Sequence, residues 1–280
     1  MKVIITGGTG LVGRYLSKMF DDKDVVIASR NNCDITDFSS VKYLFYRTKP
    51  DMVFHLAAFT DVDKSEENPA LALKTNVSGT NNIAIMADKL KSYVVYVSTD
   101  FVFNGEKTSP YSENDTPNPL SIYGKTKLEG ERLVSGFCKK YCIVRTSRVF
   151  GKNGRNFASI LPLKLKSKIK ITITTDLVNS PTYARDLSKA LFEIGRERFQ
   201  GVLNFCNSGW CNWYEFGLYI CQYYNLDPSL LTPISIRNFH DSTAPRPAFS
   251  ALNTSLFSKL FFEPRSWQIA LQEFLKYEIS

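Results

Sequence analysis

The run Tyr123-Gly124-Lys125-Thr126-Lys127 sets a phenol four residues ahead of an ammonium, inside the helical-looking stretch SIYGKTKLEGERLVSGF. On a helix, positions i and i+4 share a face, so both groups would point into one cavity. A cation beside a phenol favours the phenolate, which lowers the pKa from about 10 toward neutrality, where the group can exchange a proton with a substrate oxygen. Ser98-Thr99-Asp100 follows the apolar run YVVYVS, at the strand end where ligands bind in an open α/β sheet. A hydroxyl there can donate to a carbonyl as it becomes an alkoxide. Ser98 and Thr99 could instead simply cap a turn, a reading the downstream Tyr123 and Lys127 disfavour.

A second constellation precedes these. VIIT runs straight into Gly7-Gly8-Thr9-Gly10-Leu11-Val12-Gly13, and RYLSKMF continues at helical spacing. Glycines at 7, 10 and 13 allow a tight turn, close approach of backbone amides to a pyrophosphate, and room for the helix against the strand. Strand before and helix after make the trio a dinucleotide-binding signal. After the next strand no carboxylate stands ready for a ribose 2′-hydroxyl; the chain reads Ala28-Ser29-Arg30-Asn31. A guanidinium beside a hydroxyl suits a 2′-phosphate, which favours NADPH, with NADH as the alternative. Asp34 and Ile35 could border the adenine, Asp34 accepting from its exocyclic amine. The positive nicotinamide of the oxidised cofactor would join Lys127 in lowering the Tyr123 pKa.

The elements that must position these groups alternate between two periods. Short apolar runs at 3–6, 24–29, 52–58, 93–98 and 142–147 are separated by helical-looking stretches. Such alternation predicts βαβ units, and strands apolar at successive positions are those covered by helices on both faces. The expected fold is α/β, a doubly wound parallel sheet of Rossmann type over residues 1–150. Beyond 150, Gly151, Gly154, Pro162, Pro181, Pro228, Pro233, Pro245, Pro247 and Pro264 break the chain into short elements. Helices are expected near 155–168, 183–196, 212–224 and 265–278. Residues 151–280 would form mainly a substrate-binding region packed on the first, with some segments returning to the sheet and a cleft between the two.

Composition narrows the alternatives. Lys plus Arg number 35 against 27 Asp plus Glu, a balance that favours anionic partners such as nucleotides. The densest basic run, Lys164, Lys166, Lys168 and Lys170, lacks interleaved aromatics, so it reads as a solvated face and nucleic acid is not expected. Six cysteines without CxxC spacing and two histidines give no support for a zinc site, and no metal is expected. No apolar run approaches the roughly 20 residues of a bilayer-spanning helix and the start MKVIITGG does not resemble a signal peptide, so a cytoplasmic protein without membrane contact is expected.

TGGTGLVG at 6–13, Ser98 and Thr99, and YGKTK at 123–127 resemble an extended short-chain dehydrogenase/reductase. DITD at 34–37, LAAFTDVDKSEENP at 56–69, VSTDFVFNGEKTSPYSENDTPNPLSIYGKTKLEGE at 97–131, RTSRVFGKNGRNF at 145–157, NSPTYARDL at 179–187 and APRPAFSALNT at 244–254 resemble the dTDP-4-dehydrorhamnose reductase family more closely. The resemblance implies reduction of the C4 ketone of a nucleotide-linked 6-deoxysugar. It also implies that Thr99 binds the substrate oxygen, Tyr123 donates the proton, and Lys127 holds the nicotinamide ribose while tuning Tyr123. Gly10, Leu11 and Val12 would contact the pyrophosphate, with Gly7, Thr9 and Gly13 completing the loop. Ala58, Phe59, Thr60 and Val97 would lie along the cofactor, and Asp100 would reach the sugar. Two positions depart from the family pattern: Phe101 replaces a tyrosine, and Arg148 replaces a tryptophan expected against the sugar. Arg148 either marks a different sugar or pose, or folds away to a salt bridge. A homodimer is among the assemblies admitted. Competing readings are a reductase of another nucleotide-linked 4-keto-6-deoxyhexose and a non-catalytic scaffold resembling the regulatory subunit of methionine adenosyltransferase. An epimerase-reductase of the fucose synthase kind would need a Cys and a His as acid and base, and His55 and His240 are the only histidines available; His55 reads as a core imidazole.

Overall fold

A computed structural model describes residues 1–152, 154, 156–238 and 243–279. His240, and Asn153 and Arg155 of the 145–157 stretch, lie outside the described residues. Five apolar runs form β1 (Val3–Thr6), β2 (Val25–Ala28), β3 (Met52–His55), β4 (Tyr93–Thr99) and β5 (Tyr141–Thr146). The later chain adds β6 (Val149–Phe150), β7 (Ile171–Thr174), β8 (Val178–Asn179), β9 (Thr182–Tyr183), β10 (Gly201–Asn204), β11 (Cys211–Asn212) and β12 (Leu231–Ile234). One parallel sheet carries the order β10-β5-β4-β3-β1-β2. The order reverses at β1, placing a crevice at the carboxyl ends of β1 and β3 where such sheets bind ligands.

Helices cover both faces, as the successive apolar residues of β1 and β3 require; every residue of these two strands is buried. The chain order is α1 (Leu11–Leu16), α2 (Phe38–Thr48), α3 (Val62–Glu67), α4 (Pro69–Leu73), α5 (Thr80–Leu90) and α6 (Ile122–Phe137), then α7 (Phe157–Lys166), α8 (Ala184–Glu197), α9 (Trp213–Tyr224), α10 (Ser255–Leu260) and α11 (Trp267–Tyr277). Phe45, Ile83 and Val134 from α2, α5 and α6 pack with Ile4, Val53 and Val94 on one face. Leu187, Leu191 and Ile194 of α8 pack with Ile5, Phe54 and Val95 on the other. Each such side chain contributes roughly 1.5–3 kcal/mol of burial. A third core joins α7, α9 and α11 through Leu161, Phe216 and Phe274. No helix among the described residues is long and apolar enough to cross a membrane.

Two prolines expected to interrupt the chain do not. Pro162 lies inside α7, and Pro233 lies inside β12, whose single neighbour is β7; a strand with one open edge tolerates a residue without an N–H. The run 52–58 leaves the strand after His55, because the next amides turn to Thr6: Leu56 N–H donates to Thr6 O at 3.2 Å and Ala57 N–H to Thr6 Oγ1 at 3.3 Å.

His55 ends β3 in full burial, held between Thr6 Oγ1 at 2.7 Å and Thr80 Oγ1 at 3.0 Å. Burial, aided by the Lys127 charge, pushes its pKa down to about 3 from an ordinary 6.5. The unfolded chain takes up this proton below about pH 6.5 and the folded chain only near 3, so the unfolded state binds more protons in between and stability declines as pH falls through that window. Urea unfolding of His55→Gln at several pH values should show a shallower acid decline than wild type. An unchanged slope would assign the acid sensitivity to other groups.

Candidate active site

Every residue singled out above for cofactor, catalysis or substrate lines one cleft of about 1320 Å³ along the carboxyl ends of β1 to β5. The glycine loop forms its floor. Gly7 has φ +65°, and a Cβ there would stand 2.8 Å from Ala57 N, so only glycine lets the loop pass the chain leaving β3. Gly10 has φ −74°, which any residue adopts, and a Cβ there would meet only Gly7 O, at 3.0 Å. Local conformation therefore does not demand this glycine; its open side leaves room for a ligand. Gly10 also gives α1 no side-chain cap, leaving the first-turn amides of α1 free of side-chain acceptors. These features fit a pyrophosphate.

Loop 29–32 borders the end of the cleft where the adenosine is expected. Ser29 N–H donates to Asn32 Oδ1 at 2.8 Å, and Asn32 Nδ2 donates to Ile27 O at 2.9 Å, which leaves Arg30 exposed at the mouth. Asp34 accepts from the Thr36 amide and hydroxyl, both at 2.9 Å; these bonds, then the charges of Lys74 and Arg30, hold its carboxyl below the usual range. Lys74 lines the same end of the cleft and was not singled out from sequence.

Lys74 opens a π-helical turn, Lys74–Gly79, between α4 and α5. The turn carries Asn76 into the interior, where Oδ1 accepts from Phe59 N–H at 2.7 Å and Nδ2 donates to Phe59 O at 3.1 Å and Thr126 Oγ1 at 3.0 Å. Asn76 thereby ties the cleft-lining segment Ala58, Phe59 and Thr60 to α6. The sequence offers no signal for it, since an asparagine within a helical period reads as a surface residue.

Helix α6 carries the catalytic candidates. Ser121 Oγ caps its start, accepting from Gly124 N–H at 3.1 Å, while Glu66 of α3 accepts from Ile122 N–H at 2.6 Å. A Cβ at Gly124 would lie 2.2 Å from Phe101 O, so the glycine between Tyr123 and Lys125 permits this helix to press on the end of β4. Tyr123, Lys127 and Glu131 then follow at i, i+4 and i+8 on the face turned to the sheet. Lys127 is 2% exposed. Its Nζ donates to Val97 O at 2.7 Å and lies 4.1 Å from the centre of the Tyr96 ring. One turn on, Glu131 accepts from Arg145 in a buried bidentate pair, Nε to Oε1 at 3.0 Å and Nη2 to Oε2 at 2.7 Å. Ser98 donates to Glu131 Oε1 at 2.5 Å, so its hydroxyl is directed to the ion pair.

Thr99 provides the other hydroxyl. Its Oγ1 accepts from Phe101 N–H at 3.2 Å, and the hydroxyl stands close enough to the Tyr123 phenol to act on its pKa. Two hydroxyls thus converge where a ketone oxygen can be bound. In the protein alone, burial pushes the Tyr123 pKa up to about 12, with the Thr99 hydroxyl opposing and the Asp100 charge reinforcing the rise; the lowering expected from Lys127 together with the oxidised nicotinamide concerns the cofactor-bound state. Desolvation of a phenolate outweighs the nearby cation, whose Nζ is engaged with the Val97 carbonyl. Lys127 is itself pushed down to about 7 by burial, against the supporting charge of Glu131.

Asp100 is 2% exposed and accepts from Ser147 Oγ at 2.8 Å, Ser250 Oγ at 2.5 Å and Thr99 Oγ1 at 3.2 Å. Burial raises its pKa against these three hydrogen bonds. Its carboxylate organises hydroxyls lining the cleft, two of which, Ser147 and Ser250, went unrecognised in the sequence. Phe101 meets Tyr123 edge-on at 5.8 Å.

Arg148 has φ +39° and makes no salt bridge among the described residues, contrary to one of its two expectations. The guanidinium carbon lies 3.9 Å from the centre of the Trp213 ring, and Nη1 donates to Cys211 Sγ at 3.5 Å and Asn212 O at 3.4 Å. Nε and Nη2 are buried without partners. Trp213, at the start of α9, also lines the cleft; it was missed because its neighbour Arg148 is distant in sequence.

A family model described as the RmlD substrate binding domain matches residues 1–279. The spore coat polysaccharide biosynthesis protein SpsK of Bacillus subtilis is 34% identical over 98% of this chain and 97% of its own. A dTDP-4-dehydrorhamnose reductase of Aggregatibacter actinomycetemcomitans is 32% identical over 99% of each chain. The crystal structure of dTDP-4-dehydrorhamnose reductase from Bacillus anthracis, in complex with NADP, matches with a TM-score of 0.94 at 32% identity over 99% of each chain. With the glycine loop, the convergent Thr99 and Tyr123 and the buried Lys127 all in place along a chain matched almost end to end, this protein belongs to the dTDP-4-dehydrorhamnose reductase family.

Proposed function

We propose that the chain is an NADPH-dependent reductase of the C4 ketone of a nucleotide-linked 4-keto-6-deoxysugar, with dTDP-4-dehydro-L-rhamnose to dTDP-L-rhamnose as its reaction. The observation that carries this reading is the convergence of the Thr99 and Tyr123 hydroxyls beside a buried lysine, in the same cleft as the glycine loop. A cytoplasmic enzyme fits the reading.

When bound, the cofactor supplies hydride to the ketone carbon. Thr99 and Tyr123 hold the ketone oxygen between two hydroxyls and stabilise the charge that develops there. A phenol with a pKa of about 12 retains its proton at neutral pH, so Tyr123 is ready to donate it to the forming alkoxide. Lys127 would hold the nicotinamide ribose; Arg30 with Ser29, beside Lys74, suits a 2′-phosphate. Retention of these groups favours an enzyme over a non-catalytic scaffold. Epimerase chemistry has no support at His55, whose two ring nitrogens are both engaged by threonines in the core.

The reading is tested by following NADPH absorbance with dTDP-4-dehydrorhamnose. Wild type should turn over, and Tyr123→Phe should lose about a hundredfold in kcat while still binding NADPH, the scale of a positioned general acid. An inactive wild type contradicts the reading, and near-normal turnover in Tyr123→Phe moves the proton donor elsewhere. Glu131 supports the charge on Lys127, so Glu131→Gln should let Lys127 lose its proton at lower pH and shift the alkaline limb of kcat/KM toward acid. A limb that stays in place would reduce Glu131 to a structural prop.

A further inference from the structure

Two buried polar groups on the sugar side of the cleft lack partners, and they are neighbours. Asn179, the last residue of β8, is 8% exposed, and its Oδ1 accepts no hydrogen bond. In the β8–β11 pair it stands in register with Cys211. Cys211 Sγ is in turn one of the two acceptors of Arg148 Nη1. Arg148 and Asn179 therefore flank the same residue, and both line the cleft.

Their deficits are complementary. Arg148 holds donors without acceptors at Nε and Nη2, whereas Asn179 holds an acceptor without a donor. Buried polar groups are ordinarily satisfied, and each one left open carries a desolvation cost that nothing in the free protein returns. Trp213 covers one face of the guanidinium, with the Phe216 ring centre 5.5 Å from its carbon, so hydrogen bonding is left to its N–H edge. Asp100 is close enough for its charge to act on Arg148, which ties this wall to the neighbouring Thr99. A small rotation of either side chain toward the cleft would present it to a ligand.

We propose that Arg148 and Asn179 form a specificity subsite for one polar substituent of the sugar ring, a group that gives an acceptor oxygen to the guanidinium and a donor hydrogen to Asn179 Oδ1. A ring hydroxyl or an acylamino group satisfies both demands. A methyl group satisfies neither, and a carboxylate only the first. The inference rests on the reductase reading above and names the part of the sugar that this reading leaves open. It replaces the apolar stacking face expected at position 148 with a polar pair backed by Trp213.

The test measures KM for dTDP-4-dehydrorhamnose and for a 4-keto-6-deoxysugar nucleotide bearing a ring acylamino group, together with the affinities for dTDP alone and for NADPH. For the better substrate, Arg148→Met should raise KM about thirtyfold and Asn179→Val about fivefold, the range for losing a charged and a neutral hydrogen bond. The double variant should resemble Arg148→Met, because both residues serve one group. Affinities for dTDP and NADPH, which lack the sugar, should stay within about twofold, inside the effect of a single weak hydrogen bond. The wild-type preference between the two sugars identifies the substituent as hydroxyl or acylamino. KM values unchanged in both single variants, or dTDP affinity falling in step with KM, would overturn the subsite while leaving the reductase reading intact. A wild type that binds NADPH but reduces neither sugar overturns both. Should either variant lose NADPH binding, Arg148→Gln and Asn179→Ser are judged by the same criteria.

Discussion

The buried ion pair between Glu131 and Arg145 is the constraint on which the catalytic geometry depends. Both side chains are about 5% exposed, and removing two ions from water costs nearly as much as their attraction returns, so the pair adds little net stability. Its value is positional. Arg145 comes from β5, Ser98 from β4 and Glu131 from α6, and the bidentate geometry with the Ser98 hydrogen bond admits one register of helix on sheet. A slip of one residue along α6 would leave an ion buried without its partner, a loss of about 3–5 kcal/mol. With Glu131 fixed, Lys127 and Tyr123 fall one and two turns earlier on the same face. The donor to Val97 O and the phenol beside Thr99 are thereby set before any ligand arrives.

The same packing decides the protonation states. Helix α6 buries its polar face against β4, so desolvation outweighs the charges that would otherwise act on Tyr123 and Lys127. A phenol that keeps its proton suits reduction, in which the enzyme must give one. Asn76 extends the rigidity to the cofactor arm by joining Phe59 to Thr126 of α6. Loop and helix consequently share one frame, which matters when hydride and proton must reach neighbouring atoms.

The parts legible in the sequence are those written in local pattern. The parallel strands declare themselves as apolar runs, the glycine loop by its place between strand and helix, and Tyr123 with Lys127 by helical spacing. Arg30 follows from the missing carboxylate after β2. What escaped depends on contacts between distant segments. The inward turn of Asn76 comes from a π-helical insertion, and the indole beside Arg148 arrives from α9. For Tyr123, spacing shows the neighbouring cation but not the depth of burial, which in the protein alone sets the direction of the shift. The open edge of β12 that accommodates Pro233 is likewise set by strand pairing, which a residue propensity does not carry.

In the proposed reaction the central group is a tyrosine that burial holds protonated, ready to donate to the ketone oxygen. The most direct measurement is the titration of Tyr123 in protein labelled with ¹³C at the tyrosine ring, assigned by comparison with Tyr123→Phe. The Tyr123 resonance of the cofactor-free protein should keep its phenol shift from pH 6 through about pH 10, above the range where an exposed tyrosine ionises. A Tyr123 resonance that titrates near pH 7 would contradict the account, because the nearby cation would then prevail over burial.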